Sequence, residues 1–266
     1  MTPELAITKI TDALLPDDTL RALFLSGSHG TGTADDWSDL DFVLVTPEGP
    51  TDRIAAAWRA ALKGVGEVVL WRDRIVRPAL INAVMADGLR VDLIVLKPEQ
   101  ATGQAQDALR PLFDRDALHA GMKRAAPPAP PSPGRARYMF DEFLRILGLL
   151  PLVVGRSEWL NGVTGVFHLR NLLVELMIEE TAVPHRGGAL HLNRLITAEQ
   201  KAALAALPIP APDKEALVAA HLAYAAEFLP RARACAERWG VEWPERFEAA
   251  TWALLADTLG ISRPAG

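Results

Sequence analysis

The sequence has a single cysteine, Cys235, in 266 residues. No intrachain disulfide can form, and the composition suits a reducing compartment, the cytoplasm. Cys235 lies in the helix-like run "RARACAERWG" and reads as a small buried apolar residue. Long apolar runs are also missing. A membrane-spanning helix needs about 20 apolar residues, and the longest candidate, "LRILGLLPLVVG", is short and interrupted by Pro151. Glu4 and Asp12 break the apolar pattern of the N-terminus, so it does not read as a signal peptide. Positive charge is scarce as well: 28 Lys and Arg stand against 33 Asp and Glu, a net charge of -5. The basic footprint of a nucleic-acid binder is absent, and no Lys/Arg-rich stripe supports a nucleic-acid substrate. The expectation is a cytoplasmic protein with neither membrane nor nucleic acid among its partners. Oligomeric state is open, an isologous homodimer being the commonest assembly.

The chain does have a hydrophobic half, 50% of its residues, enough for one large domain or two modest ones. "AAPPAPPSPG", Ala125 to Gly134, divides it. Proline at that density favours an extended connector. Before it, short runs rich in Val, Ile and Leu ("LFLS", "LDFVLV", "EVVLW", "LINAVM", "LRVDLIVL") read as strands. "ELAITKITDALL" and "TDRIAAAWRAALKGVG" read as helices, the second stopping at Gly64, and "ADG" reads as a hairpin turn. After it, "RARYMFDEFLRILGLLPLVVG", "VTGVFHLRNLLVELMIEE", "KEALVAAHLAYAAEFLPRARACAERWG" and "PERFEAATWALLADTLG" carry helical spacing. The fold class is therefore α+β: a mixed sheet with flanking helices over residues 1–124, a connector over 125–134, and a helical bundle over 135–266.

The chemistry concentrates in "SGSHGTGTADDWSDLDFVLV", Ser26 to Val45. Gly27, Ser28, Gly30, Thr31 and Gly32 follow a strand-like run, where glycine frees the backbone and lets a ligand approach it closely. Such a turn opening a helix presents N–H groups suited to phosphate oxygens, with the Ser28 hydroxyl as a further donor. It is not a Walker loop, because no Gly-Lys-Ser/Thr follows. Asp35 and Asp36 read as a solvated loop. Asp39 and Asp41 differ. They sit one residue apart at the mouth of a strand, so they share a face about 6–7 Å apart while Leu40 points into the core. Two such carboxylates repel each other unless a cation or a protonation shift compensates, and an oxygen-only set suits Mg²⁺. Asp92 interrupts another apolar strand, where aspartate is rare without a reason. Beside the first pair it would complete a trio able to hold two Mg²⁺ about 3.5–4 Å apart, the clamp for in-line displacement at phosphorus.

Gly27-Ser28, then Ser38-Asp39-Leu40-Asp41, then Asp92, in that order, resemble the nucleotidyltransferase superfamily, whose catalytic core is like that of DNA polymerase beta. The likeness covers roughly residues 20–97. The connector and helical second half resemble, more generally, the aminoglycoside and lincosamide nucleotidyltransferases. The resemblance implies that Asp39 and Asp41 bind Mg²⁺, as two ions, with Asp92 completing the site or serving as general base. It implies that Gly27 and Ser28, with Gly30, Thr31 and Ser38 of the same stretch, hold the triphosphate. A nucleoside monophosphate would pass from an NTP to a hydroxyl of a small acceptor, releasing pyrophosphate. His29 follows the Gly-Ser and reads either as a phosphate contact or, more simply, as a cap.

The default acceptor site is a cleft between the halves. Arg137, Arg145 and Arg170 are candidates to reach the phosphates; Tyr138, Trp159 and Phe167 to line the pocket, against the simpler reading that they are core; Glu142 and Glu175 to meet a cationic acceptor. The "RNLLVEL" run (Arg170 to Leu176) lacks the histidine of the ribonuclease-type helical domains that partner minimal nucleotidyltransferases, and "RGGALH" (Arg186 to His191) has the spacing but too much glycine for a helix, so a nuclease is set aside. The other readings are a protein-modifying enzyme of antitoxin type and a non-catalytic nucleotide-binding module.

Overall fold

The computed structural model describes residues 1–74, 79–184, 186 and 191–263. Most of "RGGALH" lies outside the described residues. The chain divides into two compact units, Met1–Pro127 and Pro128–Gly266.

In the first unit, six strands form one sheet in the order β3-β4-β5-β2-β1-β6. The strands are β1 (Ala22–Leu25), β2 (Leu40–Val45), β3 (Val68–Arg74), β4 (Ala79–Met85), β5 (Arg90–Leu96) and β6 (Arg110–Asp114). The β2–β5 pair is parallel and the other pairs are antiparallel, so the sheet is mixed, as the pattern predicts. The last strand was not legible in the sequence. It is short and contains Pro111, which an edge strand tolerates because one of its sides makes no ladder.

Two amphipathic helices cover one face. Thr2 caps α1 (Pro3–Leu14), and Thr51 caps α3 (Asp52–Val65), each accepting from a backbone N–H in the first turn. Their apolar stripes, Ala6, Ile7, Ile10 and Leu14 on one and Ile54, Trp58, Leu62 and Val65 on the other, bury against Leu40, Phe42, Leu44, Val91, Leu93 and Val95. Trp58 meets Phe42 edge-on at 5.2 Å between ring centres. The helix α3 runs past Gly64 and ends at Gly66, which has no side chain to bury and caps it through Leu62. The hairpin turn forms as read: Gly88 takes φ +87° and its N–H bonds to the Met85 carbonyl at 2.9 Å.

The opposite face carries a smaller core, Ala22, Phe24, Val43, Val45, Leu96, Ala101, Leu109 and Met122. It shields β1 and the far end of β2. The near ends of β2 and β5 remain open on that face, and there the apolar alternation gives way to Asp41 and Asp92, both half-buried.

The second unit is helical: α6 (Pro133–Leu147), α7 (Leu150–Arg156), α8 (Trp159–Thr181), α9 (Leu192–Leu195), α10 (Ala198–Ala206), α11 (Lys214–Trp239) and α12 (Glu245–Leu259), with α2 (Gly27–Thr31), α4 (Pro98–Ala101) and α5 (Leu118–Gly121) belonging to the first. The run from Arg135 to Gly155, which reads as one helix, breaks at Gly148 and Leu149, since Pro151 cannot continue a helix interior. One core joins these helices, with Phe143 and Phe228 stacked at its centre and Cys235 buried in it. Gly162 of α8 lies so close to α11 that a Cβ would come within 2.6 Å of Leu217.

Candidate active site

β1 ends at Leu25, and the chain turns into α2 through Gly27, which adopts φ +57°. Only glycine takes that conformation without strain. A Cβ at Gly27 would also lie 2.1 Å from Oδ2 of Asp41. The bare backbone of the turn and the Asp41 carboxylate thus face each other directly, with no side chain between them. The Ser26 N–H bonds to the Asp41 carbonyl at 2.8 Å, which ties the turn to the strand.

Asp41 and Asp92 are direct partners in the parallel β2–β5 register. Partners in register point to the same side of a sheet, so the two carboxylates sit side by side on the open face. Asp39 precedes β2 on that face, and its Oδ2 lies 3.6 Å from a guanidinium nitrogen of Arg90. Among the described residues, no three His, Cys, Asp or Glu side chains converge closely enough to hold a metal by themselves. The sequence leads one to expect a ready trio. The structure instead gives a pair, Asp41 with Asp92, and a third carboxylate drawn to an arginine.

The electrostatics follow. Burial, then the charge of Asp39, then that of Asp92 push the Asp41 carboxyl up to about 6, with Arg90 opposing. Burial also raises Asp92; a side-chain hydrogen bond from Asn82 and the charge of Arg90 lower it, while Asp39 raises it. Arg90 is half exposed, so its charge is screened and only partly offsets the cluster. The donor set suits Mg²⁺. It is all oxygen, its negative charge is under-compensated, and this ion takes one or two carboxylates and completes its shell with water and substrate phosphate.

The remaining predicted residues are placed as follows. A Cβ at Gly30 would strike the carbonyls of Ala108 (2.4 Å) and Leu25 (2.7 Å), so glycine there is required by packing. Thr31 bonds its hydroxyl to the Gly27 carbonyl at 3.0 Å, within α2. Ser38 closes the preceding loop, accepting from the Asp35 N–H at 3.0 Å and donating to the Asp35 carboxylate at 2.9 Å. Ser28 is half-buried on the first turn of α2. His29 buries Nε2 without a hydrogen-bond partner; burial and then Arg110 lower its pKa, against Glu4 and Asp39.

In the second unit, Arg137 pairs with Asp141 on its own helix at 2.9 Å, and Arg145 likewise with Glu142 at 2.7 Å. Arg170 is half-buried on α8, its charge felt by Tyr224. Tyr138 and Phe167 are each 52% exposed, not core, whereas Trp159 packs against the core. Glu175 pairs with Arg135.

Asn82 and Arg90 were missed in the sequence, although a signal was there. Antiparallel partners stand equally far from the centre of their turn. Asn82 and Asp92 are each five positions from Asp87, which makes them opposite one another. Arg90 is two residues before Asp92 and shares its face.

Residues 7–110 match the family model described as "Nucleotidyltransferase domain". The chain carries a nucleotidyltransferase domain. That domain spans β1, α2, β2 and β5, so it contains the glycine turn and all three carboxylates. It makes the protein an enzyme of the nucleotidyl-transfer class. No curated protein matches the sequence. Among solved structures, the chain is similar to an aminoglycoside 6-adenyltransferase from Bacillus subtilis, at 14% identity and a TM-score of 0.45 over 96% of this chain and 98% of the other. It is similar to the spectinomycin adenyltransferase AAD(9) from Enterococcus faecialis, solved with ATP and spectinomycin, at 12% identity and a TM-score of 0.33 over 87% and 100%. It is also similar to a nucleotidyltransferase-like protein from Exiguobacterium sibiricum 255-15, at 13% identity and a TM-score of 0.39 over 97% and 89%. No helix among the described residues is long and apolar enough to cross a membrane.

Proposed function

We propose that this enzyme transfers a nucleoside monophosphate from an NTP to a hydroxyl group of a small molecule, with Mg²⁺ as its cation. One observation carries the reading: Asp41 and Asp92 stand in register on the open face of the sheet, and the Asp41 carboxylate lies directly against the bare backbone of the glycine turn. Asp39, Asp41 and Asp92 would hold Mg²⁺, which when bound supplies positive charge to the phosphates. Gly27 gives the triphosphate close access to the backbone, and the Ser28 hydroxyl donates to it. Gly30, Thr31 and Ser38 act one step back, by fixing the turn and the loop that carry these groups.

Asp92 takes the proton of the acceptor hydroxyl. Its pKa is raised by burial, which makes it a stronger base. The acceptor oxygen forms a bond to the α-phosphorus. The bond from that phosphorus to the bridging oxygen breaks, and its electron pair leaves with pyrophosphate. Most of the rate enhancement comes from positioning and charge stabilisation. Arg137 and Arg170 are proposed as further phosphate contacts. The ion pair of Arg137 with Asp141 is a solvent-exposed i,i+4 pair, worth about 0.3–0.5 kcal/mol, and is readily exchanged for a phosphate.

An acceptor of the aminoglycoside or lincosamide type fits a large helical second unit with two exposed aromatic side chains, Tyr138 and Phe167, and two half-buried glutamates, Glu142 and Glu175, whose arginine partners a cationic acceptor would displace. The test is pyrophosphate release with ATP, GTP, CTP and UTP against aminoglycosides, lincosamides and a protein lysate. Release dependent on a small molecule, and lost in Asp41→Ala, supports the reading. Labelling of a lysate protein by the nucleotide would replace it with the protein-modifying one. Nucleotide binding without any turnover would leave a binding module.

A further inference from the structure

We infer that Asn82 is a positioning residue of the reaction: its side-chain amide fixes the orientation of the Asp92 carboxylate, turning it toward the cation and the acceptor hydroxyl. This rests on the nucleotidyl-transfer reading. Asn82 is the one strongly polar residue in "ALINAVM", the β4 strand, which otherwise alternates into the core through Ile81, Ala83 and Met85. Asparagine is depleted in strands, so a central strand that carries it needs a use for it. The β4–β5 register places Asn82 directly opposite Asp92, and Asp92 is in turn directly beside Asp41. Three neighbouring strands therefore carry Asn82, Asp92 and Asp41 in one row on one face.

Opposite residues of an antiparallel pair have Cβ atoms about 4.5–5.5 Å apart, which brings the Asn82 amide within reach of the Asp92 carboxylate, where it favours the charged form. The chemistry of the pair is directional. A carboxylate has two oxygens and a broad terminal torsion. With Asp41 repelling it from one side and an amide N–H attracting it from the other, Asp92 has one preferred orientation. Asn82 adds no charge, so it orients the base without cancelling it, as a lysine or arginine there would do. Arg90, the nearby cation, is instead turned to Asp39.

The test is a series at one position: Asn82→Leu, which keeps size and removes the donor; Asn82→Asp, which keeps shape and replaces donor by acceptor; and Asn82→His, which keeps a ring N–H at a similar reach. Each variant is read by melting temperature, by kcat and KM for the NTP, and by Mn²⁺ binding in electron paramagnetic resonance. The expected result is a fall in kcat of about 30-fold or more in Asn82→Leu and Asn82→Asp, with KM for the NTP within about twofold. Asn82→His keeps most of kcat, and melting temperatures do not follow the order of activity. Mn²⁺ binds more weakly in Asn82→Leu than in the wild type. Wild-type kcat in Asn82→Leu overturns the inference, as does a loss of kcat that tracks melting temperature across all three variants. A wild-type enzyme silent against every NTP and acceptor refutes the proposed function instead. Mn²⁺ then decides only whether Asn82 orients Asp92: weaker binding in Asn82→Leu supports that orientation, and unchanged or absent binding ends it.

Discussion

The two units each bury a carboxylate, and they treat it in opposite ways. In the second unit, Glu248 is only 1% exposed. It is met by Arg233 and by the Trp243 indole N–H at 2.7 Å, with Arg263 at 3.4 Å, and the Arg233 guanidinium also lies over the Trp243 ring. In the first unit, Asp41 is less buried, yet its nearest charged neighbours are two more carboxylates, and its one opposing arginine is screened by solvent. A buried charge that only holds a fold together is given partners. One left without them, beside others of its own sign, is arranged for a charge that arrives with the substrate. The contrast separates a structural carboxylate from a functional one without reference to any relative.

The contrast breaks most sharply under substitution. Asp41→Ala is expected to lower turnover on the order of a thousandfold in a pyrophosphate-release assay, with the fold intact by circular dichroism. Arg233→Met is expected to leave turnover per folded molecule unchanged and to destabilise by about 3 kcal/mol in urea, because it strands a fully buried carboxylate. Exchanging those two outcomes would reverse the assignment of roles. Gly27→Ala falls between them. A side chain at φ +57° and 2.1 Å from the Asp41 carboxylate costs about 1 kcal/mol of backbone strain, and activity falls because Asp41 must move away from the turn.

The smallest effect is the most diagnostic of charge. The folded-state pKa of Asp41, about 6, lies above its ordinary 3.8. The folded chain therefore holds this proton more tightly than the unfolded chain does. Below pH 3.8 both states are protonated and the group is neutral to stability. As pH rises from there through about 6, the unfolded state gains by releasing its proton first, and the metal-free protein loses stability. Asp41→Asn removes that loss. At pH 7.5 its melting temperature in a metal-chelating buffer should exceed that of the wild type by a few degrees, and the gap should close near pH 4. A variant less stable than the wild type at pH 7.5 would mean that Asp41 is a structural carboxylate after all.

Much of this was readable from residues. The alternation in "LDFVLV" placed Leu40 in the core and Asp41 opposite it, and both lie there. The apolar strand around Asp92 made that residue conspicuous, because a polar side chain in such a run needs a reason. What the sequence does not carry is lateral order. Nothing in the letters says that β5 lies beside β2, so the Asp41–Asp92 row needed the sheet. The orientation of Asp39 toward Arg90 needed side chains. Tyr138 and Phe167 show the limit of periodicity in the other direction: on a helix with a broad apolar stripe, spacing does not tell a buried aromatic from one at the exposed edge.

The central claim is that a divalent cation is the missing partner of this carboxylate cluster. The most direct test is calorimetric titration of Mg²⁺ into the protein held with a non-hydrolysable ATP analogue at pH 7.5, for the wild type, Asp41→Asn and Asp92→Asn. The account predicts saturable Mg²⁺ binding in the wild type that weakens by at least about tenfold in each variant, since each removes a charged ligand. Equal binding in all three proteins would contradict it.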